Sequence, residues 1–460
     1  MRWFTFTAII LLFVKSVSAQ YGPSPFSIER WDEDYSYLKD SPDRSSPLNA
    51  IKYIPLNADG DWFLSVGGQA RYRFDYFNNS DFGAGVQDEN GFHLVRLLAH
   101  VDAHLGKNFR VFVQLNSGLE FDRAGGYRPG DVDDFDFQQA FADVILPFHD
   151  DSNLTVRVGR QELIYGAQRL VSPSDWTNVR RTFEGIKGSV SIPNDTLDLF
   201  LVRPVLIDKT RLNSGDDHTA FAGIYNVTAF PDLLPGADTV LDTYLFLLDK
   251  SPSTTTGTPV SSDTFTLGLR PHARPGPFDL DLEANWQFGS YDGHAICAYA
   301  VATESGYTFR NILFTPRAGI GLDLASGSAN PAHRFNQLFP PQYLHLGHMY
   351  LFGRQNLIDL HPELTFNLTE DLRLDLAQHF FWRQNAGDAL YDLHGDVVRA
   401  PAGSRSLVVG SEFDLSLFWQ INRYFSAYAG YAHFFTGTFL AQTGPSADQD
   451  FFYASATFTF

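Results

Sequence analysis

From about residue 62 to the last residue, the chain alternates apolar and polar side chains with a period of two, segment after segment. In 278–289, Phe278, Leu280, Leu282, Ala284, Trp286 and Phe288 share one face, and Asp279, Asp281, Glu283, Asn285 and Gln287 share the other. A helix would need spacings of three and four, so this segment is a strand. The same dyad sets Val66, Ala70, Tyr72, Phe74 and Tyr76 against Gln69, Arg71, Arg73 and Asp75. It recurs with Val111, Val113 and Leu115 against Arg110, Gln114 and Asn116, and with Leu372, Leu374 and Leu376 against Arg373 and Asp375. Composition agrees: 42 Phe and 37 Gly stand against 2 Met, a vocabulary of strands and turns.

Alternation serves two architectures. A secreted sandwich turns its polar face to water, whereas an outer-membrane barrel turns its apolar face to lipid and its polar face to the lumen. Three features favour the barrel. Tight turns at Gly106-Lys107-Asn108, 192–195, 367–371 and 421–423 alternate with long connections near 78–90, 122–133, 165–182, 207–217, 250–262, 323–355, 384–406 and 436–449, as in bacterial barrels. The short 291–294 connection and the longer turns at 231–238 and 271–277 break the pattern. Residues 450–460 alternate cleanly and end on Phe460. Aromatic pairs such as Tyr76-Phe77, Phe434-Phe435 and Phe451-Phe452 sit near strand ends, where interfacial girdles lie.

The expected fold is all-β: a single transmembrane antiparallel barrel of about 18 strands. Strands are expected to start near residues 62, 92, 109, 134, 153, 183, 196, 218, 239, 263, 278, 294, 313, 356, 371, 407, 424 and 450. Residues 1–19 read as a signal peptide, with Arg2, an apolar stretch and Val17-Ser18-Ala19 before Gln20. Cleavage near Ala19-Gln20 would send the chain to the bacterial outer membrane. Residues 20–61 are Pro-, Ser- and Asp-rich, with Trp31, Tyr35, Tyr37 and Leu38 as anchors. They suit a periplasmic arm or plug, an extension inside the barrel, or a disordered leader. The barrel itself is 62–460.

Composition also excludes. A net charge of −19 argues against a nucleic-acid binder, and the lone Cys297 against disulfide frameworks and cysteine-based zinc sites. No cofactor is implied. His100 and His104 share a strand face but stand ~13 Å apart, too far for one metal. The acidic run Asp131, Asp133, Asp134 and Asp136 lacks EF-hand spacing and reads as a solvated outer loop. No G-x-S-x-G, H-E-x-x-H or P-loop is present, so the chain is not read as an enzyme.

On the inward phase lie Arg71, Arg73, Arg96 and Arg110. Arg160, Arg180 and Arg181 flank a loop, and Arg317 and Arg373 sit on later strands. Arginines on a pore wall attract carboxylates and select anions. Lumen carboxylates, Asp75, Glu162 and Asp375 among them, offer the alternative that Arg–carboxylate pairs brace the wall.

Several stretches in order are similar to the alginate export family of outer-membrane channels: Arg30-Trp31-Asp32-Glu33-Asp34-Tyr35, Ile51-Lys52-Tyr53-Ile54-Pro55-Leu56, Val66-Gly67-Gly68-Gln69-Ala70-Arg71-Tyr72-Arg73, Gly159-Arg160-Gln161-Glu162-Leu163, Arg180-Arg181-Thr182-Phe183-Glu184-Gly185, and Phe335-Asn336-Gln337-Leu338-Phe339-Pro340. Trp176, Ser326-Gly327 and Gln355-Asn356-Leu357 add to the match. The resemblance implies a passive channel for an anionic, uronate-type polysaccharide or oligosaccharide through an arginine-lined constriction. Its partners would be that polymer, outer-membrane lipid, and periplasmic export or scaffold proteins. Gln69-Ala70 and Ser326-Gly327-Ser328 depart from the family pattern, which bears on calcium binding and loop gating rather than on the fold. A general small-solute porin is the competing reading.

Overall fold

The computed structural model describes residues 25–45, 47–231, 233–234, 237–252 and 260–460. The expected signal peptide and its cleavage point lie outside these residues. Eighteen antiparallel strands close into a barrel. They are β1 Trp62–Asn78, β2 Phe92–Leu105, β3 Phe109–Phe121, β4 Asp133–His149, β5 Ser152–Gln161 and β6 Phe183–Ile192. Next come β7 Asp195–Leu206, β8 Thr219–Ala229, β9 Ala237–Lys250, β10 Ser262–Pro275, β11 Phe278–Tyr291 and β12 His294–Thr308. The circuit ends with β13 Arg317–Ala325, β14 Leu357–Asn367, β15 Leu372–Arg383, β16 Val408–Gln420, β17 Phe425–Thr436 and β18 Gln449–Thr459. Pairing of β18 with β1, from Thr459 opposite Gln69 to Asp450 opposite Asn78, closes the sheet. Closure removes the unpaired edges that lipid could not satisfy.

The expected strand starts hold, with the start near 313 moved to Arg317 because 309–316 forms a longer turn. The connection expected at 271–277 shrinks to Gly276-Pro277, since β10 runs on through Pro275. Most short turns lie at one end of the barrel, with the longer 230–236 and 309–316 connections. Most long connections lie at the other end, with the two-residue turn Asp292-Gly293 among them. The strand phase is also as expected. Tyr72, Leu199, Leu201, Leu280, Leu282, Trp286, Ile320 and Leu322 are exposed on the outer surface, and their polar neighbours in sequence turn inward. A band of exposed Leu, Ile, Trp and Tyr around a closed sheet is a lipid-facing surface.

Two corrections concern the lumen. The connections at 165–182 and 326–356 do not project as outer loops; they fold into the barrel. Leu170, Val171, Trp176 and Val179 of the first are buried, as are Phe335, Tyr343, Leu344, Met349 and Phe352 of the second. These loops carry too much apolar surface to stay in water, and an 18-stranded barrel has room to receive them. They pair with each other: Ser172 N donates to Phe339 O at 3.1 Å and Phe339 N to Leu170 O at 2.8 Å. The acidic run is not a solvated loop either. Asp133 and Asp136 lie on β4 and are buried, and Asp131 is buried against Arg128 at 2.6 Å.

The N-terminal segment also lies inside. Arg30 donates to Gly68 O and Phe460 O, at 3.3 and 2.8 Å. Trp31 meets the Arg157 guanidinium at 3.7 Å from its ring centre, and Arg110 donates to Trp31 O. Leu38 and Tyr35 are buried, whereas Tyr37, expected as an anchor, is 58% exposed.

Candidate functional site: an arginine cluster around an inward loop

Two neighbouring strands and the first inward loop supply the cluster. The period of two places Arg71, Arg73 and Asp75 of β1 on the inner wall, and Arg96 of β2 stands directly opposite Arg71. All are buried. Their partners are chiefly backbone carbonyls of the first inward loop. Arg71 donates to Asp175 O, Trp176 O and Thr177 O at 2.8, 3.2 and 2.9 Å. Arg96 donates to Asp175 O at 2.9 Å and to the Asp175 carboxylate at 2.9 Å. Arg73 donates to Trp176 O, bridges Asp75 at 2.9 Å and lies 4.1 Å from the centre of the Trp176 ring. Arg180 completes the cluster, bonded to Glu162 and 3.4 Å from Asp175.

Burial alone would raise the Asp175 carboxyl, but Arg96, Arg180 and Arg71 hold it well below the usual carboxylate range. It is therefore ionised at neutral pH and pins the loop. Trp176 stacks on Tyr343 with ring centres 3.8 Å apart, which ties the first inward loop to the second. Gly347, at φ +82°, lets the second loop pass close to Glu412: a Cβ there would stand 2.5 Å from the carboxylate. The Glu412 oxygen accepts from Met349 N at 2.8 Å.

Between this cluster and the N-terminal segment lies a cavity of 140 Å³, lined by Arg30, Arg71, Arg73, Arg96 and Arg180 and by one carboxylate, Asp175. Glu33, Asp75 and Glu162 partner Arg30, Arg73 and Arg180 behind the lining. The guanidinium groups nonetheless stay in excess and face the cavity, which makes a positive well in a low-dielectric wall, where fields are screened least. Gln69, at a position where the family resemblance leads one to expect an acid, accepts from Arg96 at 2.7 and 3.1 Å. It keeps the acceptor and withholds the charge.

The remaining sequence candidates lie apart from this cluster. Arg110 pairs with Asp102. Arg160 bridges Asp136 and Glu184 at 2.9 and 2.7 Å near the long-loop end. Arg181 donates to Ser172 O, Phe339 O and Pro340 O at 3.0, 2.7 and 3.0 Å, so it clasps both inward loops. Burial pushes its basicity down to about 10. Arg317 bridges Asp279 and Glu363, and Arg373 pairs with Asp375 at 2.8 Å. These two border a second cavity, of 780 Å³, which reaches from the short-turn end at Gly276 and Arg310 to His345 and His348 under the second inward loop. Its wall also holds Arg270, bonded to Asp242 and Asp281.

Sequence reasoning did not single out Asp175 and Trp176 as a site, nor Arg30, Arg169 and Arg354. Arg169 reaches Asp281 and Glu283 at 2.9 and 3.1 Å, and Arg354 reaches Asp323 at 2.7 Å, both from the inward loops. Arg30 and Trp176 did stand in the family-like stretches, which was the available signal.

The comparisons agree with this architecture. No curated protein matches the chain. Among solved structures it is similar to Pseudomonas aeruginosa OccK8 (OprE), with a TM-score of 0.56, 12% identity, and 86% of this chain and 98% of that one covered. It is similar to P. aeruginosa OpdK, solved with vanillate, at a TM-score of 0.55, 11% identity and the same coverage. For P. aeruginosa OccD3 (OpdP) the values are 0.56 and 10%, with 86% and 91% covered. At such identities the likeness is one of fold, that of porin-like outer-membrane barrels. The model of the alginate export family matches residues 63–454, nearly the whole barrel. The chain therefore belongs to the alginate export family.

Proposed function

We propose that the protein is a passive outer-membrane channel for an anionic, uronate-type saccharide. The observation that carries this reading is the excess of guanidinium groups around the 140 Å³ cavity, where Asp175 is the only carboxylate in the lining. Arginine suits such a task because its planar fork takes a carboxylate in two hydrogen bonds and keeps its proton. Residues 1–19 would act as a cleaved export signal, and the segment from 20 to 61 as a periplasmic plug, supported by its contacts with Gly68, Phe460 and Arg157. Residues 62–460 form the conducting barrel. Lipid, the polymer, and periplasmic export or scaffold proteins are its partners, and catalysis is no part of its role.

A second reading, a general small-solute porin, draws on the 780 Å³ cavity. There Arg317, Arg270 and Arg373 are each matched by carboxylates, which leaves little net preference for an anion. Reversal potential under a salt gradient, with and without oligouronate, separates the two. Anion selectivity with block by oligouronate is expected. Cation preference with no uronate effect would overturn the proposal.

A further inference from the structure

Spacing along the chain places no metal ligands together, yet the barrel register does. Asp359 and His361 lie two apart on β14, and His379 lies on β15, its neighbour in the sheet. Their ligand atoms all fall within 4.8 Å of one another. Both Nδ1 atoms converge on one oxygen, Asp359 Oδ2, at 3.0 Å from His361 and 2.7 Å from His379. The two rings stack with centres 4.8 Å apart. All three side chains are buried, with exposures of 0%, 4% and 5%. Asp359 Oδ1 has no hydrogen-bond partner among the described residues. The imidazoles also border the 780 Å³ cavity, so an ion has a way in and an open coordination position facing the lumen.

We infer that Asp359, His361 and His379 form a binding site for a divalent transition metal of the zinc class. Two imidazole nitrogens and one carboxylate suit zinc, cobalt or nickel better than calcium or magnesium, which take oxygen ligands. To bind, each imidazole must present its Nδ1 lone pair, so its ring proton resides on Nε2. For His379 the Asp414 carboxylate faces that proton: Oδ2 lies 3.6 Å from Nε2, an ion-pair distance that a small movement on metal binding would shorten to a hydrogen bond. That hydrogen bond would give the carboxylate–histidine–metal arrangement that orients a ligating ring. Asp414 is thus a positioning residue. Its carboxylate also accepts from His348 N at 3.2 Å, which couples the site to the second inward loop.

The test uses the full barrel in detergent, stripped with chelator. Zn²⁺ is titrated by calorimetry and Co²⁺ by its visible absorption. One ion per chain is expected, with a cobalt spectrum of low coordination number. His361→Gln with His379→Gln should abolish both signals. Asp414→Asn should weaken binding by about 10–100-fold and alter the cobalt bands. Heat-modifiable migration reports whether each variant has formed its barrel. Should the double variant fail to form one, His361→Gln alone, which keeps the Asp359–His379 pair, is read instead and should lose the low-coordination cobalt spectrum. Absence of Zn²⁺ binding to the parent barrel overturns the inference. So does equal binding, with the same cobalt spectrum, by a folded variant.

Discussion

The two sides of the lumen use the same residue type for different work. Around Asp175, arginines of β1 and β2 meet mainly backbone carbonyls, and the guanidinium charges outnumber the carboxylates. Across β9 to β15, the arginines that border the larger cavity, Arg270, Arg317 and Arg373, find carboxylates on their own or nearby strands, as Arg317 does with Asp279 and Glu363. A carbonyl satisfies a guanidinium's donors without cancelling its charge, whereas a carboxylate does both. The first side therefore keeps a positive field, and the second is a stitched, nearly neutral wall. An arginine count along the sequence cannot separate the two.

The largest expected effect breaks the first side. Arg71→Glu with Arg73→Glu reverses two buried charges and sets carboxylates against the carbonyls of 175–177. The prediction is a change from anion to cation preference in planar bilayers, with heat-modifiable migration preserved because lumen substitutions tune selectivity. Loss of barrel yield at unchanged selectivity would mean that these arginines only brace the wall. Next in size is Trp176→Ala, which removes the stack on Tyr343 and the Arg73 contact. Truncating a buried Trp costs about 3–5 kcal/mol. Here the loss falls on loop docking, so single-channel conductance should become noisier or larger and the 165–182 loop newly sensitive to protease. An unaltered conductance trace would show that the loop is held by its arginine bonds alone.

The difference between these sides also marks what the sequence could disclose. A period of two states which way Arg71 or Arg317 points, because β-strand side chains alternate whatever the tertiary context. Strand starts follow from the same signal, bounded by turn residues, and the alternation carried the strand count to eighteen. The destination of the long connections was not legible. Polar tips such as Ser172-Pro173-Ser174-Asp175 look like solvent loops until a barrel encloses them, and only then do Trp176 and Tyr343 find each other across 167 positions of sequence. Asp359, His361 and His379 illustrate the same limit, since the pair on one strand meets its third member through sheet register.

A smaller effect tests the N-terminal segment that closes the first side. Burial raises Glu29 to about 7 and lowers Lys52 to about 7. An acid whose folded value is raised loses docking stability as pH climbs from its ordinary value to 7, because the undocked form gives up its proton first. A lysine whose folded value is lowered carries its full penalty below 7 and regains stability between 7 and its ordinary value. Each unit of displacement corresponds to ~1.4 kcal/mol. Docking should thus be weakest near pH 7 and firmer at both pH 5 and pH 9. Hydrogen exchange of the segment at these three values checks it; a monotonic trend would show that only one of the two groups governs docking.

The smallest effect belongs to the stitched wall and sharpens the comparison most directly. Arg317→Gln with Asp279→Asn deletes a pair held at 2.5 Å without changing net charge. Both side chains border the larger cavity, at 23% and 29% exposure, where water screens them. Partly solvated pairs contribute ~0–1 kcal/mol, so the melting point of the barrel should scarcely move. Selectivity should not move either, because the pair's two charges already cancel at a distance. The contrast with Arg71 and Arg73 is therefore quantitative: reversal potential should respond strongly on one wall and stay within error on the other. If the neutral pair shifts it as far as the charge reversal does, the field in the lumen is not focused at Asp175, and the division between the two sides fails.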